Sequence, residues 1–82
     1  MNRVLEICKS INEEVPDDIE AKLLDEGYID SFGVYQLLVE LELAFDIEIE
    51  DDEMTYENFK SIKSICELLQ SKGIVIEENK GI

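Results

Sequence analysis

The chain contains no histidine. Imidazole general bases, histidine-based triads and histidine metal ligands are therefore excluded from any chemistry assigned to it. Basic side chains are scarce: seven Lys and Arg stand against 21 Asp and Glu, a net charge of −14. Such a field repels nucleic acid and anionic membranes, and it steers basic partner surfaces over long range at low salt. No run comes near the roughly 18 consecutive apolar residues that a membrane-spanning helix needs, so no membrane insertion is expected. The first residues hold no basic segment followed by an apolar run, so no secretory signal is read and a cytoplasmic protein is expected. The two cysteines, Cys8 and Cys66, are far apart and have no metal-ligand spacing. Each falls in an apolar helical stripe and reads as a core thiol, not as a disulfide partner or nucleophile.

The 82 residues, 45% of them apolar, are enough for one small core, so residues 1–82 are expected to form a single domain. Asn2 is placed to cap a first helix over residues 3–14, whose Val4, Ile7, Cys8 and Ile11 follow the i, i+3, i+4, i+7 spacing of one buried face. Pro16 stops it and pushes Val15 out of the helical region. Residues 15–30 form a long connection of the kind that is often functional. It carries Ile19, Leu23, Leu24 and Ile29 to pin it to the core, room for a helical turn near 18–24, and Gly27 for a backbone angle that other residues resist.

A second helix is expected over 31–45, with Val34, Leu37, Leu38, Leu41 and Phe45 on its buried face. Gly33 in its first turn costs up to about 1 kcal/mol relative to alanine; close approach of a prosthetic group or a partner is one reason for it. Residues 46–53 are acidic, with Ile47 and Ile49 alternating inward. A short third helix is expected near 55–60, where Tyr56 and Phe59 close the core. A last helix follows over 61–71, with Ser61 as N-cap, Gly73 after its end, and Ile62, Ile65, Cys66 and Leu69 on one face. The tail, 74–82, extends or frays. The fold class is all-α: three main helices and one short helix, each burying a single stripe.

The junction Asp30-Ser31 stands between the long loop and the second helix. A serine there can cap free backbone N–H groups, worth about 1 kcal/mol, and Asp30 is a favourable negative charge at a helix start. The same place also suits a phosphate, because the helix end offers unpaired N–H groups and a positive dipole. The wider run Leu23-Leu24-Asp25-Glu26-Gly27-Tyr28-Ile29-Asp30-Ser31-Phe32, then Gln36-Leu37-Leu38 and Phe45-Asp46-Ile47-Glu48-Ile49, resembles the acyl carrier protein family, with its peptidyl and D-alanyl carriers. The likeness covers the chain from about Val4 to Leu69.

The resemblance implies that Ser31 receives 4′-phosphopantetheine from coenzyme A, and that this arm holds an acyl or aminoacyl group as a thioester. It implies a phosphopantetheinyl transferase that uses Mg²⁺, which Asp30 helps to engage, and an acyl- or aminoacyl-loading ligase with a downstream acyltransferase or synthase. The chain itself is then not an enzyme: the chemistry belongs to the prosthetic group. Phe32 stands where the family usually has leucine or methionine. Gly33 and Gln36 stand where carriers of fatty acid synthesis commonly place acids. Ser-x-Gly before Gln-Leu-Leu is closer to D-alanyl carriers, or to free-standing carriers of peptide and polyketide pathways.

Two other readings remain open on the residues alone. Asp46, Glu48, Glu50 and Asp52 alternate, with Glu57 twelfth from Asp46, which is superficially a calcium loop. Asp51 stands sixth, where such a loop needs glycine, so only weak, non-specific divalent binding is expected of it. The third reading is an acidic interaction module without covalent modification. Projecting the second helix at about 100° per residue adds a further expectation. Phe32, Val39 and Leu43 fall opposite the buried face, flanked by Tyr35 and Gln36 and bordered by Glu40 and Glu42. This second apolar stripe reads as a docking face for partner enzymes beside Ser31, on a protein expected to be a monomer. Packing against the tail, or a homodimer, also accounts for it.

Overall fold

Four apolar stripes meet in one core. The computed structural model describes residues 3–75. Its helices are α1 (Arg3–Ile11), α2 (Ser31–Phe45), α3 (Tyr56–Phe59) and α4 (Ile62–Ser71), with a 3₁₀ turn, Asp51–Glu53, between α2 and α3. The fold is thus the expected all-α bundle of three main helices and one short one. The proposed Asn2 cap and residues 76–82 of the tail lie outside the described residues. Packing joins α1 to α2 and to α4, and α3 to α4. Val4 and Cys8 from α1, Leu37 and Leu41 from α2, Phe59 from α3, and Ile62, Ile65, Cys66 and Leu69 from α4 fill the centre. Val34, Leu38 and Phe45 pack against that centre while staying partly exposed.

α1 ends at Ile11, three residues before the expected boundary. The cause is Asn12. Its Oδ1 accepts the Glu14 N–H at 3.0 Å, and its Nδ2 donates to the Tyr28 carbonyl at 2.9 Å. The side chain thus competes with the helix for backbone groups and ties the helix end to the loop. Residues 18–24 hold turns and no helix: the Asp18 side chain accepts from Glu20 N and its carbonyl from Ala21 N. The loop is instead stitched outward. Leu23 N donates to Lys60 O at 2.9 Å, and Lys63 N, in the first turn of α4, donates to Ile19 O at 2.9 Å. Both expected glycine angles are present, with φ of 78° at Gly27 and 89° at Gly73.

The end of α2 is closed by a left-handed residue that is not glycine, Asp46, with φ 55°. Glu42 supports this end by accepting the Ile49 N–H on its carboxylate at 2.9 Å. Thr55 caps α3, and Ser61 caps α4 in a reciprocal box with Ser64. Lys72, after α4, pairs with Glu53 at 2.7 Å and holds the Glu53 carboxyl below its usual range. Tyr56 departs from expectation. It is half exposed and not in the core, and Phe59 alone carries the burial from α3. A tyrosine that stays at the surface can satisfy its hydroxyl there, and this one does so on Asp25.

Candidate functional site

The site is built from the loop before α2. Ile29 N donates to Leu23 O at 3.1 Å and Asn12 holds the Tyr28 carbonyl, so the two residues before Asp30 are fixed from both sides. Asp30 then takes the extended N-cap conformation. Its Oδ1 accepts from Gly33 N at 2.8 Å, and its carbonyl accepts from Val34 N. This corrects the capping role the sequence offers to Ser31: the aspartate caps, and the serine does not. Ser31 is exposed, and among the described residues its hydroxyl makes no hydrogen bond. Each of the other four serines is engaged: Ser10 on Ile7 O, Ser61 and Ser64 on one another, and Ser71 on Leu68 O.

Gly33 is buried beneath this junction. A Cβ there would lie 2.9 Å from Ile29 Cγ2 and 3.6 Å from Ile11 Cγ2. The close approach that requires glycine is therefore the chain's own packing, not a prosthetic group or partner. Glycine lets the first turn of α2 sit directly on the loop and on α1, which sets the position of Ser31.

Beside Ser31 opens a groove of ≈550 Å³ between α2 and α3. Its floor is apolar, from Leu24, Val34, Leu38, Met54 and Phe59, and Ser31 lies on its lip. At one end stands Tyr56, whose hydroxyl donates to both carboxylate oxygens of Asp25 at 2.9 and 2.8 Å. That bond, first among several causes, raises the pKa of the Tyr56 phenol above its ordinary value. The sequence reading missed the groove, because its walls come from three separate segments that no single periodicity connects. It also missed Tyr56, whose signal is only that a tyrosine opening a short capped helix needs a partner for its hydroxyl.

The second stripe of α2 is exposed as expected. Phe32 is 85%, Leu43 75%, Tyr35 64% and Val39 52% accessible. Glu40 is exposed along its edge, whereas Glu42 is turned to the Ile49 N–H, so the two glutamates are not equivalent. The groove is lined by no lysine, and with no histidine in the chain the Ser31 hydroxyl has no basic partner there. Serine is a weak nucleophile without such a base, so the groove lends this hydroxyl no imidazole or amine to activate it. Residues 51–53 form a 3₁₀ turn in place of a calcium loop, and among the described residues no group of three or more His, Cys, Asp or Glu is placed to hold a metal ion. No helix among the described residues is long and apolar enough to cross a membrane.

Comparison with known proteins identifies the family. The family model described as "Phosphopantetheine attachment site" matches residues 2–69. The chain is 33% identical over 72 residues to the D-alanyl carrier protein of Lactococcus lactis subsp. cremoris (strain MG1363), covering 85% of this chain and 91% of that one. It is 36% identical over 70 residues to the D-alanyl carrier protein of Listeria innocua serovar 6a, covering 83% and 90%. It is 34% identical over 68 residues to aminoacyl carrier protein 2 of Bradyrhizobium diazoefficiens, covering 78% and 75%.

Proposed function

The chain belongs to the phosphopantetheine-attachment family, as a carrier protein whose 4′-phosphopantetheine holds an acyl or aminoacyl group as a thioester, and we propose that Ser31 is where that group is joined. One observation carries the assignment. Ser31 is the serine whose hydroxyl is exposed and makes no hydrogen bond among the described residues, while its neighbour Asp30 does the capping.

The surroundings fit the group. Ser31 opens a 15-residue helix, so the phosphodiester would meet the positive end of the helix dipole. The Ser31 and Phe32 N–H groups have no partner among the described residues. The adjoining groove gives the apolar part of an arm a surface to rest on. When bound, the group supplies a thiol that forms the thioester; the chain positions it and presents it to enzymes.

We read the cargo as an aminoacyl group. The support is the names of the D-alanyl and aminoacyl carriers to which the chain is similar, together with Gly33 and Gln36 early in α2. The partners on this reading are a phosphopantetheinyl transferase, an aminoacyl-loading ligase and a downstream acyltransferase or synthase. The exposed stripe of Phe32, Tyr35, Val39 and Leu43, edged by Glu40, is their docking face. Glu42 joins that face only at its base, since its carboxylate is held by Ile49. Asp30 engages the transferase as well as capping the helix. The two core thiols agree with a reducing, cytoplasmic compartment.

The test is intact mass. The purified chain is incubated with coenzyme A, Mg²⁺ and a broad-specificity phosphopantetheinyl transferase. The wild type gains one phosphopantetheine; Ser31→Ala stays helical and gains none. Modification of Ser31→Ala at any other serine overturns the assignment.

A further inference from the structure

The core holds two thiols for which a carrier has no use. Cys8, on α1, is fully buried, and Cys66, on α4, is 3% exposed. α1 and α4 pack against each other, and both cysteines belong to the same buried cluster. They are close enough that a charge on Cys66 is felt at Cys8. Their neighbours one turn away on the two helices, Val4, Ile62 and Leu69, are fully buried as well. α1 is the first helix and α4 the last, so a bond between the two sulfurs closes a loop that holds α2, α3 and Ser31.

While the core is closed, reagents in solution do not reach these sulfurs, so any reaction waits on a local opening of α1 from α4. In the opened chain a thiolate is the nucleophile. One cysteine thiolate attacks a low-molecular-weight disulfide, RSSR, and forms a mixed disulfide while one RS⁻ departs. That capped sulfur cannot return to its place, because a close-packed core has no room for the added group. Attack by the second cysteine thiolate on the capped sulfur expels the other RS⁻ and forms the Cys8–Cys66 bond. Two cysteine thiols are oxidised and one RSSR is reduced to two RSH. The product fits where the mixed disulfide does not, since bonded sulfurs lie only about 2.0 Å apart. Closure of the fold thus favours the internal bond over the adduct.

We propose that Cys8 and Cys66 form a redox-sensitive staple: when low-molecular-weight disulfide accumulates, they join across the α1–α4 interface and hold the domain closed. In a reducing compartment they remain the core thiols read from the sequence. The staple stabilises by removing freedom from the unfolded chain, and the loop it closes is most of the domain. It acts at a distance from the attachment junction. Neither cysteine lines the groove beside Ser31 or the depression at Asp30 and Phe32, and neither lies on α2. The oxidised domain therefore presents the same Ser31 and the same α2 stripe as the reduced one.

The experiment uses the full chain before phosphopantetheine is attached, when Cys8 and Cys66 are its only thiols. It is incubated for hours at pH 8 with glutathione disulfide, and in parallel with reduced glutathione. Intact mass and peptide mapping without reductant read the product. The expected product is a monomer lighter by two hydrogens, with the Cys8 and Cys66 peptides joined. Its melting temperature is about 10 °C or more above that of the reduced chain and falls back on reduction. Cys8→Ala and Cys66→Ala show neither the mass change nor the rise. A wild type that stays reduced, a persistent glutathione adduct, a dimer linked between chains, or a disulfide form that melts no higher than the reduced one overturns the proposal. If either alanine variant does not fold, the wild-type map and melting temperature decide the matter alone. Oxidised and reduced chains are then given coenzyme A, Mg²⁺ and the transferase. Rates within twofold of each other support a staple remote from Ser31, and a larger loss in the oxidised chain overturns it. Failure of both forms to gain mass counts against the attachment reading, and the staple is judged on its mass, map and melting temperature.

Discussion

Asp30 and Gly33 form one unit at the start of α2: the Asp30 Oδ1 accepts the Gly33 N–H at 2.8 Å, and a Cβ on Gly33 would lie 3.4 Å from that same oxygen. The cap holds the helix end, and the missing side chain lets that end press onto Ile29. Ser31 lies between the two and is freed from structural duty by both.

Gly33→Ala is expected to destabilise the domain even though alanine is the better helix former. Helix propensity favours alanine by up to about 1 kcal/mol. Against this stands the contact at 2.9 Å with Ile29 Cγ2, a branched atom of a buried residue that cannot swing away. Overpacking of this kind costs about 1–3 kcal/mol, so the net loss is about 1 kcal/mol. Urea denaturation measures it. Adding Ile29→Leu, which removes the clashing methyl, should recover part of the loss; a Gly33→Ala protein more stable than wild type refutes the packing account.

Asp30 separates capping from recognition by substitution. Asp30→Ala loses the cap, about 1 kcal/mol, and in a domain of this size lowers the melting temperature by about 4–8 °C. Asp30→Asn keeps an acceptor for Gly33 N and should melt within a few degrees of wild type. If the transferase reads the charge, Asp30→Asn loses kcat/KM for phosphopantetheinylation while its melting temperature holds. Equal kcat/KM for Asp30→Asn and wild type would leave Asp30 as a cap only.

The sequence made the helices legible because each main stripe repeats at helical spacing, and the cap at Ser61 marks the start of the last one; the Thr55 cap of α3 emerged only with the structure. Gly27 and Gly73 were readable as angles, since both stand where a segment must reverse. Asn12 was less readable: its effect on α1 depends on Tyr28, 16 residues away, and pairings over that distance leave no local pattern. Asp46 hid for another reason, because aspartate tolerates the left-handed region less often than the glycine one looks for. At the site, Asp30-Ser31 was visible as a pair but not in its division of labour. Either side chain can cap a helix, and only the geometry shows which one does. The groove and the Tyr56–Asp25 bond needed three segments brought together.

The core thiols make a prediction about pH. Burial, and secondarily the proximity of Cys66, push the Cys8 thiol from 9.0 up to about 12. Below pH 9 it is protonated in both folded and unfolded chains and adds no pH dependence. Above pH 9 the unfolded chain releases this proton and the folded one retains it, so stability falls between about pH 9 and 12. Lysines and tyrosines titrate there too, so the comparison is with Cys8→Ala, whose stability should fall less steeply over that window. At pH 8 the native unmodified protein should not react with 5,5′-dithiobis(2-nitrobenzoate), and the phosphopantetheinylated form should show one reactive thiol, that of the arm. Rapid reaction of the native unmodified protein contradicts the buried assignment.

The exposed stripe of α2 gives the sharpest separation of folding from function. Val39 and Leu43 are 52% and 75% accessible and lie opposite the face that buries Leu37 and Leu41. A carboxylate at either place meets water, so Val39→Asp and Leu43→Asp should leave the melting temperature nearly unchanged. Apolar residues open to solvent on a helix that already buries its other side are what the centre of an enzyme contact requires. Each substitution puts a charge in that apolar centre, where it must be desolvated on contact. Transfer by the loading ligase should weaken tenfold or more, about 1.4 kcal/mol. Glu40→Gln, at the edge, should act mainly on the association rate, with an effect that fades as salt screens it. Unfolding of either aspartate variant would mean that the stripe is core. Normal folding together with normal loading of both would place the docking face elsewhere, on the groove side of Ser31 or on the turn at Asp51–Glu53.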